Sequence, residues 1–430
     1  MNSPLLIKGA VIFTEAGPVH DCDLLIAEGR VARMGRGLAD RKAQVVQAAG
    51  WLVLPGLVDL HVHLGEPGRE DRETLRTGLE AAAWGGFTSV LTMPDTEPPV
   101  DRESDVQYLL GRSARLPGAR ALVCCALTKG RRGEELAELA GMKAAGAVAA
   151  GDAKPVRDAR VVRRALEYAR MLDLPVFTEA QDEDLSRGGV AHEGEVGGWL
   201  GLAGIPAASE WVALARDMLL AESTGGRLHV QGVSTRRSVD LIRAAKARGV
   251  NVTAECPFHH LILTDEALGS YDTATKLLPP LRTADDAAAL AEGIREGIID
   301  CIVSDHTPAT REEKDVEFDY AAFGAAGLEA LLPALHTELV RKGALTWNDV
   351  IDALSRRPRR ILGLPQPAFA EGEACEITLF NPDVDDVIEP ERWRSLARNT
   401  PLAGRTVKGR VEGIFAGGVA RGRWAEEVGA

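Results

Sequence analysis

The chain has 430 residues, 45% of them apolar, enough for one large domain with a filled core and a smaller one beside it. Its 50 basic against 63 acidic side chains leave a formal net charge of −13, the wrong sign for binding a phosphate backbone or an anionic membrane surface. No apolar run reaches the roughly eighteen residues of a membrane span, the start MNSPLLIKGA lacks the pattern of a secretory leader, and six cysteines without a CxxC pair form neither a disulfide framework nor a zinc ribbon, so a reducing cytoplasm is the expected location.

In chain order, residues 1–54 hold short β-rich runs broken by turn residues, LLIKGAVIF, DLLIAEGRVARMG and AQVVQAAGWLVL, with no helical period. A second rhythm occupies residues 55–365. Eight apolar runs, LVDLHVHL, FTSVLTMP, RALVCCAL, GAVAAGD, LPVFTEA, RLHVQGV, VNVTAEC and DCIVSDHTP, alternate with segments of helical period such as TLRTGLEAAAWGG and RSVDLIRAAKARG. Near-continuous apolar strands alternating with helices imply a parallel sheet, and eight units predict a closed (β/α)8 barrel of the TIM type. An open doubly wound sheet is the alternative; polar residues gathered at the C-terminal ends of most runs favour the barrel, which builds its site there. Residues 366–430 return to strands, EACEITLF and GRVEGIFAGGVARGR, and are expected to join residues 1–54 in one small β domain. The polar stretches 101–118 and 307–322 read as mobile loops.

Residues two apart on a strand share a face, so His61 and His63 in DLHVHL present two imidazoles together, a start for a divalent-metal site. SDHTP ends the eighth run with Asp305, placed to ligate a metal and to take a proton from water. Hydrolysis of an amide follows from that pairing. His259 and His260 before LILTD, and Cys124 and Cys125 on the third run, read as core residues, while His306 reads equally as an orienting or a structural histidine.

The motifs VDLHVHLGEPG, GLEAAAWGGFTSVLTMPDTEPP, HVQGVSTRRSVDLI, HHLILTDEAL, KLLPPLR, VSDHTP and FGAAGLEALLPAL follow one another along nearly the whole chain. In this they resemble the cyclic amidohydrolases, and among them the bacterial dihydroorotases. The resemblance implies the barrel, the composite β domain, a zinc centre and the family reaction, reversible hydrolysis of dihydroorotate to N-carbamoyl-L-aspartate in pyrimidine biosynthesis. It also implies metal ligands at His61, His63, Asp152 and Asp305, with Asp305 the catalytic base, and a homo-oligomer. Two further ligand positions, histidine in relatives, are Glu179 and Gly232 here; glutamate can ligate through oxygen and glycine cannot, so one zinc ion is expected rather than two. His229, three residues before Gly232, is expected to face the other way.

The positions with which that family holds its substrate carboxylate are changed as well. An arginine, two asparagines and a histidine there correspond to Gly65, Asp95, Leu278 and Ala309 here. A permanent cation is gone and Asp95 adds an anion, which disfavours an anionic substrate unless Arg69, Lys276 or Arg282 takes over. Three readings stand at this point. One is a dihydroorotase with a rebuilt substrate site; the second is an amidohydrolase for a neutral or cationic cyclic amide. The third is a catalytically silent chain that partners aspartate carbamoyltransferase, as some relatives do.

Overall fold

The computed structural model describes residues 4–429. Eight parallel strands follow one another around a barrel: β1 (Leu57–Val62), β2 (Phe87–Thr92), β3 (Arg120–Cys125), β4 (Ala149–Gly151), β5 (Val176–Glu179), β6 (Leu228–Gln231), β7 (Val252–Pro257) and β8 (Cys301–Val303). Each hydrogen-bonds to its neighbours in sequence. The seam between β8 and β1 closes just beyond the strands, where the His63 amide donates to the His306 carbonyl at 2.9 Å and Val62 bridges His306 in parallel register. Asp59 stitches the same seam, its buried carboxylate accepting from the amides of Ser304 and His61.

The apolar runs become strands because both their faces are covered. Alternate residues divide between two clusters: Leu91, Leu122, Cys124, Phe177, Cys301 and Val303 pack together, while Val90, Val123, Val176, Val230 and Ile302 join the larger cluster shared with the helices. The helices between strands start where the sequence offers a cap. Thr74 caps Leu75–Trp84 through the Thr77 amide, and Thr235 caps Arg236–Ala247 immediately after β6.

Both chain ends meet in a second, eight-stranded sheet. Its strands Leu5–Thr14, Gly17–Ala27, Arg30–Gly35, Gln44–Gln47 and Leu52–Pro55 are joined by Ile377–Val387, Thr406–Ala416 and Val419–Arg421. Leu52–Pro55 is the link, pairing in parallel with the first strand and antiparallel with Ile377–Phe380. The small β domain has its own core around Ile7, Ile12, Leu24, Leu379 and Trp424.

Two expected loops differ from the sequence reading. Within 101–118, Glu103–Ser113 is a helix, because Val106, Leu109 and Ser113 line up at helical spacing as a buried face that the polar majority of the segment conceals. The 307–322 segment carries a short helix, Arg311–Lys314, and is tied down by two buried lysines. Lys276 donates to the carbonyls of Phe318 and Asp319, and Lys314 to those of Thr273 and Ala322.

Candidate active site

The end of β1 and the residues after β8 bring His61, His63 and Asp305 together, with ligand-capable atoms all within 4.8 Å of one another. The two imidazole rings lie 5.1 Å apart. Asp305 adopts φ +49, a left-handed backbone that costs a non-glycine residue on the order of 1 kcal/mol and here turns its side chain toward the histidines. His61 Nδ1 lies 2.5 Å from Glu255 Oε1, while His61 Nε2 is buried and has no hydrogen-bond partner among the described residues; Asp305 Oδ1, at 3.9 Å, is too far to serve. His63 Nδ1 is 2.7 Å from Asp95 Oδ2.

These contacts fit a divalent cation. A carboxylate on each Nδ1 fixes the tautomer that leaves Nε2 with a lone pair, and two imidazoles with one carboxylate form a donor set with open positions, as hydrolytic metal sites require. The orphaned His61 Nε2 is the group that such an ion would satisfy.

Glu255 and His229 were not legible as site residues. Glu255 on β7 is fully buried between His61 Nδ1 and His229 Nε2, at 2.5 and 3.0 Å, and His229 Nδ1 lies 2.8 Å from Thr253 Oγ1. Burial alone would raise the Glu255 carboxyl, but the two histidines hold it down; burial opposes a charge on His61, and Glu255, with Asp305 and Glu179, drives its pKa well above the ordinary value. Likewise His63, with Arg131 beside it, outweighs burial and holds Asp95 well below the usual carboxylate range. His229 stays out of the ligand trio, but not by facing away as expected. It stacks on Phe177 with ring centroids 4.3 Å apart and reaches the site only through Glu255, while Gly232 has left the strand geometry at φ +67.

Other sequence-derived site residues are placed differently. Asp152 is not brought to the trio: its carboxylate accepts from the amides of Leu127 and Thr128 and from the Thr128 hydroxyl, which turn it toward the loop after β3. Glu179, at the end of β5, is half-buried and lines the cavity beside the trio, close enough to feel both histidines and Asp305; burial raises its carboxyl and the histidines oppose this. Of the four family substrate positions, Leu278 lines the cavity, whereas Gly65, Asp95 and Ala309 do not. At Gly65 a Cβ would stand 2.0 Å from the Arg69 carbonyl oxygen, because the Arg69 amide folds back onto the Gly65 carbonyl at 2.7 Å. The turn itself fills the place of the side chain. Asp95 serves His63, and Ala309 donates its amide to Asn399.

His306 is structural: Nε2 lies 3.3 Å from Glu73, and Nδ1 accepts from the Gly327 amide. His259 and His260 are buried, with burial depressing them to about 3 and about 4, and Cys124 and Cys125 are buried thiols that burial raises. They are core residues, as read from the sequence.

A cavity of about 460 Å³ opens above the trio. Its wall includes Ala153, Gln231, Gly232, Leu278, Pro279 and Phe323, with Lys154 and Arg282 as its cations. Arg69 is taken up by Asp71 and Glu313, and Lys276 by carbonyls, so neither serves this space.

A parallel (β/α)8 barrel with a small β domain, and a His-His-Asp candidate metal site at the C-terminal ends of its strands, define a barrel of the amidohydrolase superfamily. The fold matches that of L-hydantoinase (dihydropyrimidinase) from Arthrobacter aurescens, at TM-score 0.87 and 23% identity over 98% of this chain and 97% of that one. It also matches dihydropyrimidinase from Brevibacillus agri, at TM-score 0.83 and 23% identity over 98% and 95%. A family model described as Dihydro-orotase-like matches residues 50–238. Relatives named dihydroorotase include that of Pelotomaculum thermopropionicum, 49% identical over 96% of this chain and 97% of its own length. Another is that of Pelobacter propionicus, 45% identical over 96% and 98%. The chain belongs to the dihydroorotase family, whose members are generally metal-dependent.

Proposed function

We propose that the protein is a metal-dependent dihydroorotase that hydrolyses the ring amide of dihydroorotate to N-carbamoyl-L-aspartate, reversibly, in pyrimidine biosynthesis. The observation that carries this reading is the buried, unpartnered His61 Nε2 facing Asp305 in a chain of this family. His61, His63 and Asp305 would hold one zinc ion, with Glu179 the nearest further oxygen donor. A second ion lacks support, since Gly232 offers no ligand and the Asp152 carboxylate is committed to Leu127 and Thr128. Bound there, the ion supplies Lewis-acid activation of the ring carbonyl and of a water molecule.

The chain's own groups do the rest. Asp305, raised by burial although His61 and His63 oppose the rise, takes a proton from water as its oxygen bonds to the carbonyl carbon. The C–N bond then breaks, and the same carboxyl returns the proton to the departing ring nitrogen. Glu255 and Asp95 keep the two Nδ1–H groups in place throughout. Ring closure runs these steps backwards.

Six free, buried cysteines support a reducing cytoplasmic location. Among the described residues no helix is long and apolar enough to cross a membrane. The test is an assay of both directions on zinc-loaded protein. Release of carbamoyl-aspartate from dihydroorotate is the expected result; a zinc-loaded chain silent in both directions that copurifies with aspartate carbamoyltransferase would instead be a non-catalytic partner.

A further inference from the structure

Among the described residues Arg282 is the one buried arginine or lysine that lines the cavity; the other, Lys154, is exposed. Arg282 is 3% exposed, yet no carboxylate lies within ion-pairing distance of it among the described residues. Its Nε donates to the Ser234 hydroxyl at 3.2 Å, and its Nη1 to His192 Nδ1 at 2.9 Å and to the Ile205 carbonyl at 3.1 Å. All three acceptors are neutral, since burial and Arg282 itself depress His192 to about 4. Glu210, on the same wall, accepts from the amides and hydroxyls of Ser234 and Thr235, and neither it nor Asp286 or Asp265 hydrogen-bonds the Arg282 guanidinium. Nη2 has no acceptor among the described residues.

A buried guanidinium held only by neutral groups is an unfavourable arrangement that an anion would relieve. Its fork is fixed by three hydrogen bonds before any ligand arrives, which limits the entropy lost on binding. The trio lines the same cavity, whose volume of about 460 Å³ accommodates a substituted six-membered ring.

We propose that Arg282 is the anion subsite of this cavity and takes the ring carboxylate of the substrate, in place of the residues replaced by Gly65, Asp95, Leu278 and Ala309. The assignment deepens the dihydroorotase reading and rests on it. The preferred substrates are therefore cyclic amides that carry a carboxylate on the ring, and unsubstituted neutral rings are poor ones.

The experiment compares wild-type, Arg282→Gln and Arg282→Lys holoenzyme on dihydroorotate and on 5,6-dihydrouracil, the same ring without the carboxylate. Loss of one charge-assisted contact predicts a rise of roughly 10- to 100-fold in KM for dihydroorotate in Arg282→Gln, with kcat less affected. The lysine variant recovers part of the loss, and selectivity for dihydroorotate over dihydrouracil falls in step with the rise in KM. An unchanged KM, or equal losses on both rings, overturns the subsite. Should Arg282→Gln fail to fold, Arg282→Lys decides alone by the same criteria. Calorimetric titration with dihydroorotate separates the two readings. Binding that weakens in the Arg282 variants without turnover keeps the subsite and removes the hydrolase; no saturable binding to wild type removes the subsite.

Discussion

Glu255 Oε1 lies 2.5 Å from His61 Nδ1 while its other oxygen lies 3.0 Å from His229 Nε2, so one buried carboxylate joins three strands beneath the candidate metal site. The contact makes His61 a ligand of fixed tautomer. Glu255→Gln keeps the shape and removes the charge; loss of such a partner lowers metal affinity by about 10- to 100-fold. Competition with a chelator of known zinc affinity measures it. An unchanged affinity would show that Glu255 is only filling space.

Asp95 does the same for His63, with Nδ1 and Oδ2 2.7 Å apart. Asp95→Asn restores the residue type expected for gripping substrate and removes the charge behind the ligand. The expected outcome is zinc affinity lower by roughly 10-fold and no gain in dihydroorotate affinity, because position 95 does not line the cavity. Tighter substrate binding in this variant would contradict the placement.

The metal-free His61 carries a proton near neutral pH, since Glu255, with Asp305 and Glu179, raises its pKa against burial. An ion needs the Nε2 lone pair and must expel that proton. Zinc binding therefore releases about one proton from this residue, and affinity rises with pH up to the raised His61 value and falls as the solution is acidified. Calorimetry in two buffers of different ionisation enthalpy counts the protons. Equal apparent enthalpies in both buffers would contradict the assignment.

Gly65 is closed to any larger residue by the Arg69 carbonyl. Gly65→Arg, the change that would restore the family residue, must open the 65–73 turn, at about 1–3 kcal/mol as for other overpacked sites. Thermal unfolding of the variant should show a lower Tm and no gain in dihydroorotate affinity. A variant as stable as wild type would mean that the turn rearranges freely.

Much of this architecture could be read in advance because it depends on local pattern. Near-continuous apolar runs alternating with helical segments predict the barrel, and HxH followed far along by SDHTP picks out the three residues of the candidate site. What escaped depends on register between distant strands. His61, His229 and Glu255 meet only because β6 and β7 lie side by side and β8 alone separates β7 from β1, and nothing near Glu255 in VTAEC shows that neighbourhood. Asp152 stands apart from the trio because its carboxylate is held by Thr128, 24 residues earlier, a contact the sequence does not display. Arg282 was visible in KLLPPLR as a cation, but its lack of a carboxylate partner is a tertiary fact.

The central claim is that this chain, with its altered substrate positions, is a working metal-dependent hydrolase. Metal-free protein titrated with zinc, with bound metal and dihydroorotate hydrolysis measured on the same samples, tests it most directly. Activity should rise in proportion to bound metal and level off at about one ion per chain, the occupancy expected of two histidines and one carboxylate, and Asp305→Ala should abolish it. Zinc bound at that stoichiometry with no carbamoyl-aspartate released and no ring closed would contradict it.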